Sequence, residues 1–395
     1  MSQIEVKDLY KIFGPKESVD EALELARDGT ERSAIKEQTG CVLAVDKVSF
    51  SVEEAEIFVI MGLSGSGKST LLRCINRLIE PTSGDVPIDG TDVMAMDEDG
   101  MRDLRKQKTA MVFQHFGLLD HRTVLGNVAF GLELQGVEKK KREDKAREVL
   151  ELVGLEDQAG AMIDELSGGM QQRVGLARAL ATEANILLMD EAFSALDPLI
   201  RTRMQAEFLE LQQEMPKTIL FITHDLGEAL TLGDRNAIMK DGAVVQVATP
   251  EGIILEPADD YVASFVQNVD RSRVLTVGTA AAEEQPKVAP GDSVSRALEV
   301  MRELDLPYAF VTEGDDIKGA IRLRDAELEA ARSDPELDNI IMPIEEPVRP
   351  DDTLIAILAK ASGKLAPLPV VDEQGQLQGA VTKDMLLRAV AGEDQ

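Results

Sequence analysis

The chain begins with alternating apolar and polar positions. Residues 4–13 keep a period of two and predict a strand. Residues 17–28 switch to a helical period, with Val19, Ala22, Leu23 and Ala26 on one face. A second strand is expected around residues 42–50, so the stretch at about 15–41 reads as a helical insertion on the surface. Residues 57–61 (IFVIM) are continuously apolar and predict a buried strand, followed by a glycine-rich loop and a helix over 69–78. Residues 186–190 (ILLMD) form a second buried strand that ends in a carboxylate. About 30 residues then separate Glu191 from His224, room for one helix and one further strand.

The last third of the chain repeats itself. VAPGDSV at 288–294 matches VRPDDTL at 348–354, and GAI at 319–321 matches GAV at 379–381. Val288 and Val348, like Gly319 and Gly379, stand 60 residues apart. A shared offset implies a tandem pair with one supersecondary unit per copy. The expected division is a first domain over 1–275, a small acidic linker over 276–285, and a pair over about 286–333 and 341–391.

Composition narrows the class. With 395 residues the chain is long enough for two or three cores, and its 44% hydrophobic and 29% charged fractions are those of a folded domain protein. The apolar runs are far shorter than the ~20 residues that span a bilayer, and the first residues lack the apolar stretch of a secretion signal. A cytoplasmic chain is expected. Cys41 and Cys74 have no CxxC spacing and read as packed thiols in a reducing compartment. With three His in all, no structural metal site is expected. The net charge of −30 repels phosphate backbones, so nucleic acid is not expected as a partner. Solubility and a saline habitat are both consistent with that charge.

The chemistry starts at residues 62–70, GLSGSGKST. Gly62, Gly67, Lys68 and Ser69 satisfy G-x-x-x-x-G-K-[ST] in the strand–loop–helix setting the motif requires. Glycine lets successive N–H groups point at one anion, and the following helix adds its positive end. Leu63, Ser64, Gly65, Ser66 and Thr70 complete the cradle. Lys68 is suited to the β- and γ-phosphates of ATP, and the Ser69 hydroxyl to Mg²⁺. Downstream lie LSGGM at 166–170, Asp190 and Glu191 ending the buried strand, SALD at 194–197, His224 in ITHD, and Gln114 in MVFQHF.

This ordered set resembles the ATP-binding cassette family. The resemblance implies an α/β P-loop NTPase cassette, a mixed sheet with a helical subdomain at about 115–165. Two copies would meet head to tail and trap two ATP molecules, the phosphate loop of one facing Ser167, Gly168 and Gly169 of the other. In that arrangement Ser69, Asp190 and Gln114 hold Mg²⁺, Glu191 is the general base, His224 positions the attacking water, and Asp197 lies at the dimer contact. Phe13 occupies the family's adenine-stacking position, with Tyr10 as the alternative. The region after the glutamine receives a membrane permease, and His115, Phe116, Leu118, Leu119 and His121 are candidates either for that groove or for the core.

The chain closely resembles the cassette subunits of glycine betaine and proline betaine importers. The resemblance rests on Leu63 in MGLSGSGKST, NRLIEPTSG at 76–84, DELSGGMQQRVGLARAL at 164–180, MDEAFSALDPLIR at 189–201, and the insertion at 15–41. The terminal repeat resembles tandem CBS domains, an α+β pair. The implied protein lies on the cytoplasmic face of the cell membrane, bound to a permease and served indirectly by a substrate-binding protein. It powers uptake of a quaternary amine in osmotic stress. CBS pairs bind adenosine through G-h-h-[ST]-x-x-D, and neither copy here keeps it. The first has Arg322 in place of the hydroxyl before Asp325, and the second has Thr382 with Asp384 one residue early. A nucleotide drawn by Arg322 and Arg324, and a sensor of ionic strength working through surface charge, both remain open.

Overall fold

The computed structural model describes residues 2–392 apart from 115, 116, 183, 283, 315, 345 and 365. Two compact units divide the chain, residues 1–267 and 268–395.

The first unit is built on a six-stranded sheet among the described residues. Its order is Ala243–Ala248, Arg235–Lys240, Ile57–Met61, Thr218–Thr223, Ile186–Asp190, Thr109–Val112. The first two strands pair antiparallel and every other neighbouring pair is parallel. The central strands are buried along their whole length, which explains their unbroken apolar sequence. Registers of Met61 with Thr223, Asp190 with Ile222 and Val112 with Met189 bring the carboxyl ends of four strands together. Parallel sheets bind ligands at that edge.

A second sheet pairs the strand Ser2–Phe13 antiparallel with Val42–Glu53. Ile4, Val6, Leu9, Val45, Val48 and Val52 share one core with Phe58, Ile60 and the phosphate-loop helix Lys68–Ile75. The insertion is a helical hairpin, Val19–Arg27 and Arg32–Thr39. Ala22 and Ala26 are buried as the periodicity predicts, with Val19 and Leu23 packed beside them. Together with Ile35, Tyr10, Ile12, Cys41 and Leu43 they form a small core of their own. Both cysteines are buried free thiols, and burial pushes the Cys74 thiol up to about 12. The helical part contains Val124–Val128, Phe130–Leu134, Lys139–Leu152 and Gly168–Leu180. No helix among the described residues is long and apolar enough to cross a membrane.

The 60-residue offset recurs in the second unit. Helix starts at Leu354 and Val294, strand starts at Leu368 and Tyr308, and helix starts at Lys383 and Leu323 are each separated by it. The expected linker at 276–285 is corrected by the structure. Residues Val277–Ala280 are helical, Thr276 bridges Thr353, and Ala282 bridges Ala380. Leu275, Val277 and Ala280 are buried, so this stretch belongs to the second unit and the division falls after Gln267. Small residues that look like a spacer by composition serve close packing here. A Cβ on Gly379 would lie 2.9 Å from the Ala282 carbonyl oxygen.

Candidate nucleotide site

The phosphate loop leaves the Ile57–Met61 strand at Gly62 and enters its helix at Lys68. Gly67 has φ +101°, and a Cβ there would lie 2.3 Å from the Ala44 carbonyl oxygen. Gly62 is confined in the same way by the Met239 carbonyl oxygen at 2.3 Å. Backbone approach therefore dictates both motif glycines. The helix buries Leu71, Leu72 and Ile75, which fixes its axis against the sheet with its first turn facing the loop.

Lys68 is 5% exposed, and its ammonium donates to the carbonyl oxygens of Gly62 (2.9 Å) and Leu63 (3.0 Å) and to Ser66 Oγ (3.4 Å). Burial lowers its pKa, against the opposing pull of Glu191 and Asp190. Beside it, Ser69 Oγ donates to Asp190 Oδ1 at 2.8 Å. Asp190 is fully buried, and its other oxygen meets Arg73 Nη2 at 3.4 Å. Glu191 lies one residue beyond the strand. Its Oε2 accepts from Gln114 Nε2 at 3.1 Å and lies 3.2 Å from His224 Nδ1.

Glu191 has φ +51°, a left-handed backbone that costs a non-glycine residue about 1–2 kcal/mol. Several bonds hold it there. Its N–H donates to the Ile222 carbonyl, and its own carbonyl accepts from Ser194 Oγ and from Gln172 Nε2. Gln172, 1% exposed, also accepts from the Ala195 N–H at 2.9 Å. It thus clamps the segment that carries Glu191. In the sequence Gln172 stands out only as one of the residues that follow LSGGM, within the stretch 164–180. Its burial five residues after Ser167, on the inner face of that helix, is the signal that marks the role.

A cleft of about 290 Å³ is lined by Ser64, Gly65, Gly67, Lys68, Ser69, Thr70, Gln114 and Glu191, with Val42, Ala44 and Arg32 as its other wall. Arg32 comes from the insertion and was not among the expected site residues. Phe13 lies outside this lining. It pairs with Val42 across the strands, is 42% exposed, and carries Lys11 Nζ 4.7 Å over its ring. Tyr10 is 3% exposed and packs in the insertion's core, which removes it as a stacking face. Ser167, Gly168 and Gly169 lie outside the cleft of their own chain. Ser167 caps the helix Gly168–Leu180 by accepting from the Met170 N–H. Asp197 likewise caps Pro198–Glu214 through Ile200 N–H at 3.1 Å. Ser167, Gly168 and Asp197 are exposed and Gly169 is half-buried.

A separate groove of about 330 Å³ lies beside the glutamine segment, lined in part by Phe113, Leu119, Phe130, Leu134 and Leu78. Leu119 and Leu118 are half-buried and His121 is exposed, while His115 and Phe116 lie outside the described residues.

Residues 45–194 match the model of the ABC transporter family, and residues 340–392 match that of the CBS domain. The chain is 47% identical over 392 residues to the glycine betaine/proline betaine transport system ATP-binding protein ProV of Escherichia coli (strain K12), covering 98% of this chain and 97% of that one. The chain belongs to the ABC transporter family. It is also 46% identical to the glycine betaine transport ATP-binding protein OpuAA of Bacillus subtilis (strain 168), over 100% of this chain and 93% of the relative. The ATP-binding cassette MJ0796, solved as a dimer in a post-hydrolysis state bound to ADP and Pi, superposes with a TM-score of 0.54 at 32% identity. That match covers 62% of this chain and 98% of MJ0796. The chain is thus an ATPase of the transport-coupled kind, an α/β cassette followed by CBS domains.

In this cassette subunit the CBS unit has its own cleft of about 540 Å³, with Arg302, Thr382, Asp384 and Arg388 among its lining. Arg322 and Arg324, the cations singled out from sequence, lie outside that lining. Arg322 Nε is bonded to Asp325 Oδ2 at 2.6 Å, and the Thr382 hydroxyl caps a helix by accepting from Met385 N–H. Arg322, Asp325 and Thr382 thus already have partners within the chain.

Proposed function

We propose that this protein is the ATP-hydrolysing subunit of a membrane importer for glycine betaine or a related quaternary amine, active in osmoregulation. The observation that carries the reading is the convergence of Lys68, Ser69, Gln114, Asp190, Glu191 and His224 at one sheet edge. The LSGGM turn, in contrast, lies outside the nucleotide cleft, with Ser167 and Gly168 exposed and Gly169 half-buried. A hydrolysis centre missing its second anion cradle is what a head-to-tail pair completes. Two copies of this chain therefore form the working unit, with Ser167, Gly168 and Gly169 of one against the nucleotide of the other and Asp197 at the contact. ATP holds the pair closed and hydrolysis releases it.

Within each site, the loop N–H groups and Lys68 bind the β- and γ-phosphates. The Ser69 hydroxyl, the Asp190 carboxylate and the Gln114 carbonyl are hard oxygen donors that fit Mg²⁺. When bound, the ion neutralises charge developing on the phosphates. Glu191 takes the proton of the attacking water, and His224 orients that water and the γ-phosphate. Phe13 stacks on the adenine. The groove beside Gln114 receives a permease segment, which ties docking to the groups that meet the γ-phosphate. The protein sits on the cytoplasmic face of the membrane, and a substrate-binding protein acts on it through the permease.

The CBS unit regulates this cycle by ionic strength. Support comes from the internally bonded Arg322–Asp325 pair and the capped Thr382, which disfavour an adenosine ligand, and from a net charge of −30, which responds to screening over ~8–10 Å. In the complex reconstituted with its permease and binding protein, betaine-stimulated ATPase of the full chain rises across a salt series. A chain ending at Gln267 keeps the basal rate and flattens that rise. Stimulation absent in both chains contradicts the transport reading, and an unchanged salt curve contradicts the sensor.

A further inference from the structure

The inserted helical hairpin contributes a wall to the nucleotide cleft, and one of its residues is placed to touch the nucleotide. Arg32, the first residue of the helix Arg32–Thr39, lines the cleft together with Ser64, Gly65 and Gly67 of the phosphate loop. With Val42 it also borders a wider depression that runs on past Lys36 to Asp241. Val42 pairs with Phe13, the expected adenine face, so Arg32 stands at the adenosine end of the site. We propose that Arg32 is a nucleotide-binding residue that contacts the ribose and α-phosphate of ATP from the insertion side. This rests on reading the cleft as the ATP site.

Three features support it. The first is a rigid mount. Ile35 on the same helix is fully buried, and the hairpin is locked by Ala22, Ala26 and Tyr10, so the helix start is held in place. The second is an exchangeable partner. Arg32 Nη1 donates to Asp241 Oδ1 at 3.3 Å, and the Asp241 side chain is 74% exposed. An exposed single-point pair of this kind is weak, while a guanidinium offers five donors suited to phosphate. The third is charge balance. Lys68 stands beside Asp190 and Glu191, and Arg73 is paired with Asp190, so a polyphosphate entering the cleft gains from one more cation at its outer end.

The test is equilibrium binding of ATP and of ADP, each with Mg²⁺, to the purified full chain. Arg32→Gln is expected to raise both dissociation constants about three- to tenfold and by the same factor, because the contact is to the part both nucleotides share. The KM for ATP rises in parallel while kcat stays within about twofold, and the loss shrinks at high salt. Arg32→Lys recovers part of the affinity. Arg27→Gln, on the same hairpin and bonded to Ser83, leaves it unchanged. Melting temperatures of both Arg32 variants confirm that the hairpin is folded. Parental affinity in Arg32→Gln overturns the proposal, as does a loss confined to ATP, which would put the contact at the γ-phosphate. If the parent chain itself binds neither nucleotide, it is the ATP site that fails.

Discussion

Glu191→Gln is expected to bind ATP with parental affinity and to hydrolyse it about 10²–10⁴-fold more slowly. The substitution keeps the side chain's size. Its amide oxygen can still accept from Gln114 Nε2, now 3.1 Å from the carboxylate. The left-handed backbone at this position is held by Ile222, Ser194 and Gln172, none of which contacts the carboxylate, so the loop keeps its shape. What disappears is a base able to take a proton from water. With the phosphates still bound by the loop and Lys68, ATP stays uncleaved and the head-to-tail pair accumulates. Nucleotide titration, single-turnover hydrolysis and sedimentation together check this. Parental turnover would remove Glu191 from the role of base, and loss of ATP binding would make it a structural residue.

Gly67→Ala is expected to weaken ATP binding at least 10- to 100-fold and to reduce hydrolysis with it. The added methyl would sit 2.3 Å from the Ala44 carbonyl oxygen, a backbone atom of the Val42–Glu53 strand that cannot swing aside. The φ of +101° is also unfavourable for alanine. Both strains are relieved by moving the loop, and the N–H groups that converge on phosphate move with it. Gly65→Ala is the contrast. Its φ of +82° is strained too, but a Cβ there meets no neighbouring atom within 4 Å, so the loss should be several-fold at most. Isothermal titration with ATP separates the two. Equal affinities for Gly67→Ala and the parent would show that the loop tolerates displacement and would undercut the cradle geometry.

Much of the fold and of the site is legible in the sequence. The buried strands at 57–61 and 186–190 announce themselves by continuous apolar runs, and the motif residues follow directly at their carboxyl ends. The hairpin helix at 19–27 is legible because Ala22 and Ala26 share a face with Val19 and Leu23. The 60-residue repeat survives as matching element starts. Three things were hidden. Residues 276–285 look like a spacer because alanine and glycine are common in linkers, yet small residues also allow the closest packing, and only long-range pairing with Thr353 and Ala380 decides between them. Arg32 was invisible because nothing local marks it. Its place in the cleft depends on how the hairpin folds back on the strand at 42–53. Gln172 sits just beyond LSGGM in the sequence, but its clamp on Glu191 joins residues from two elements that meet only in the fold.

Transport is tested most directly by concentrative uptake of labelled glycine betaine into vesicles. These carry the neighbouring permease and binding protein with this chain and ATP on the inner side. Accumulation against a gradient is expected to require ATP, to rise with internal salt and to fall to background with Glu191→Gln. A complex that assembles and hydrolyses ATP but accumulates neither glycine betaine nor a related quaternary amine would contradict a role in import.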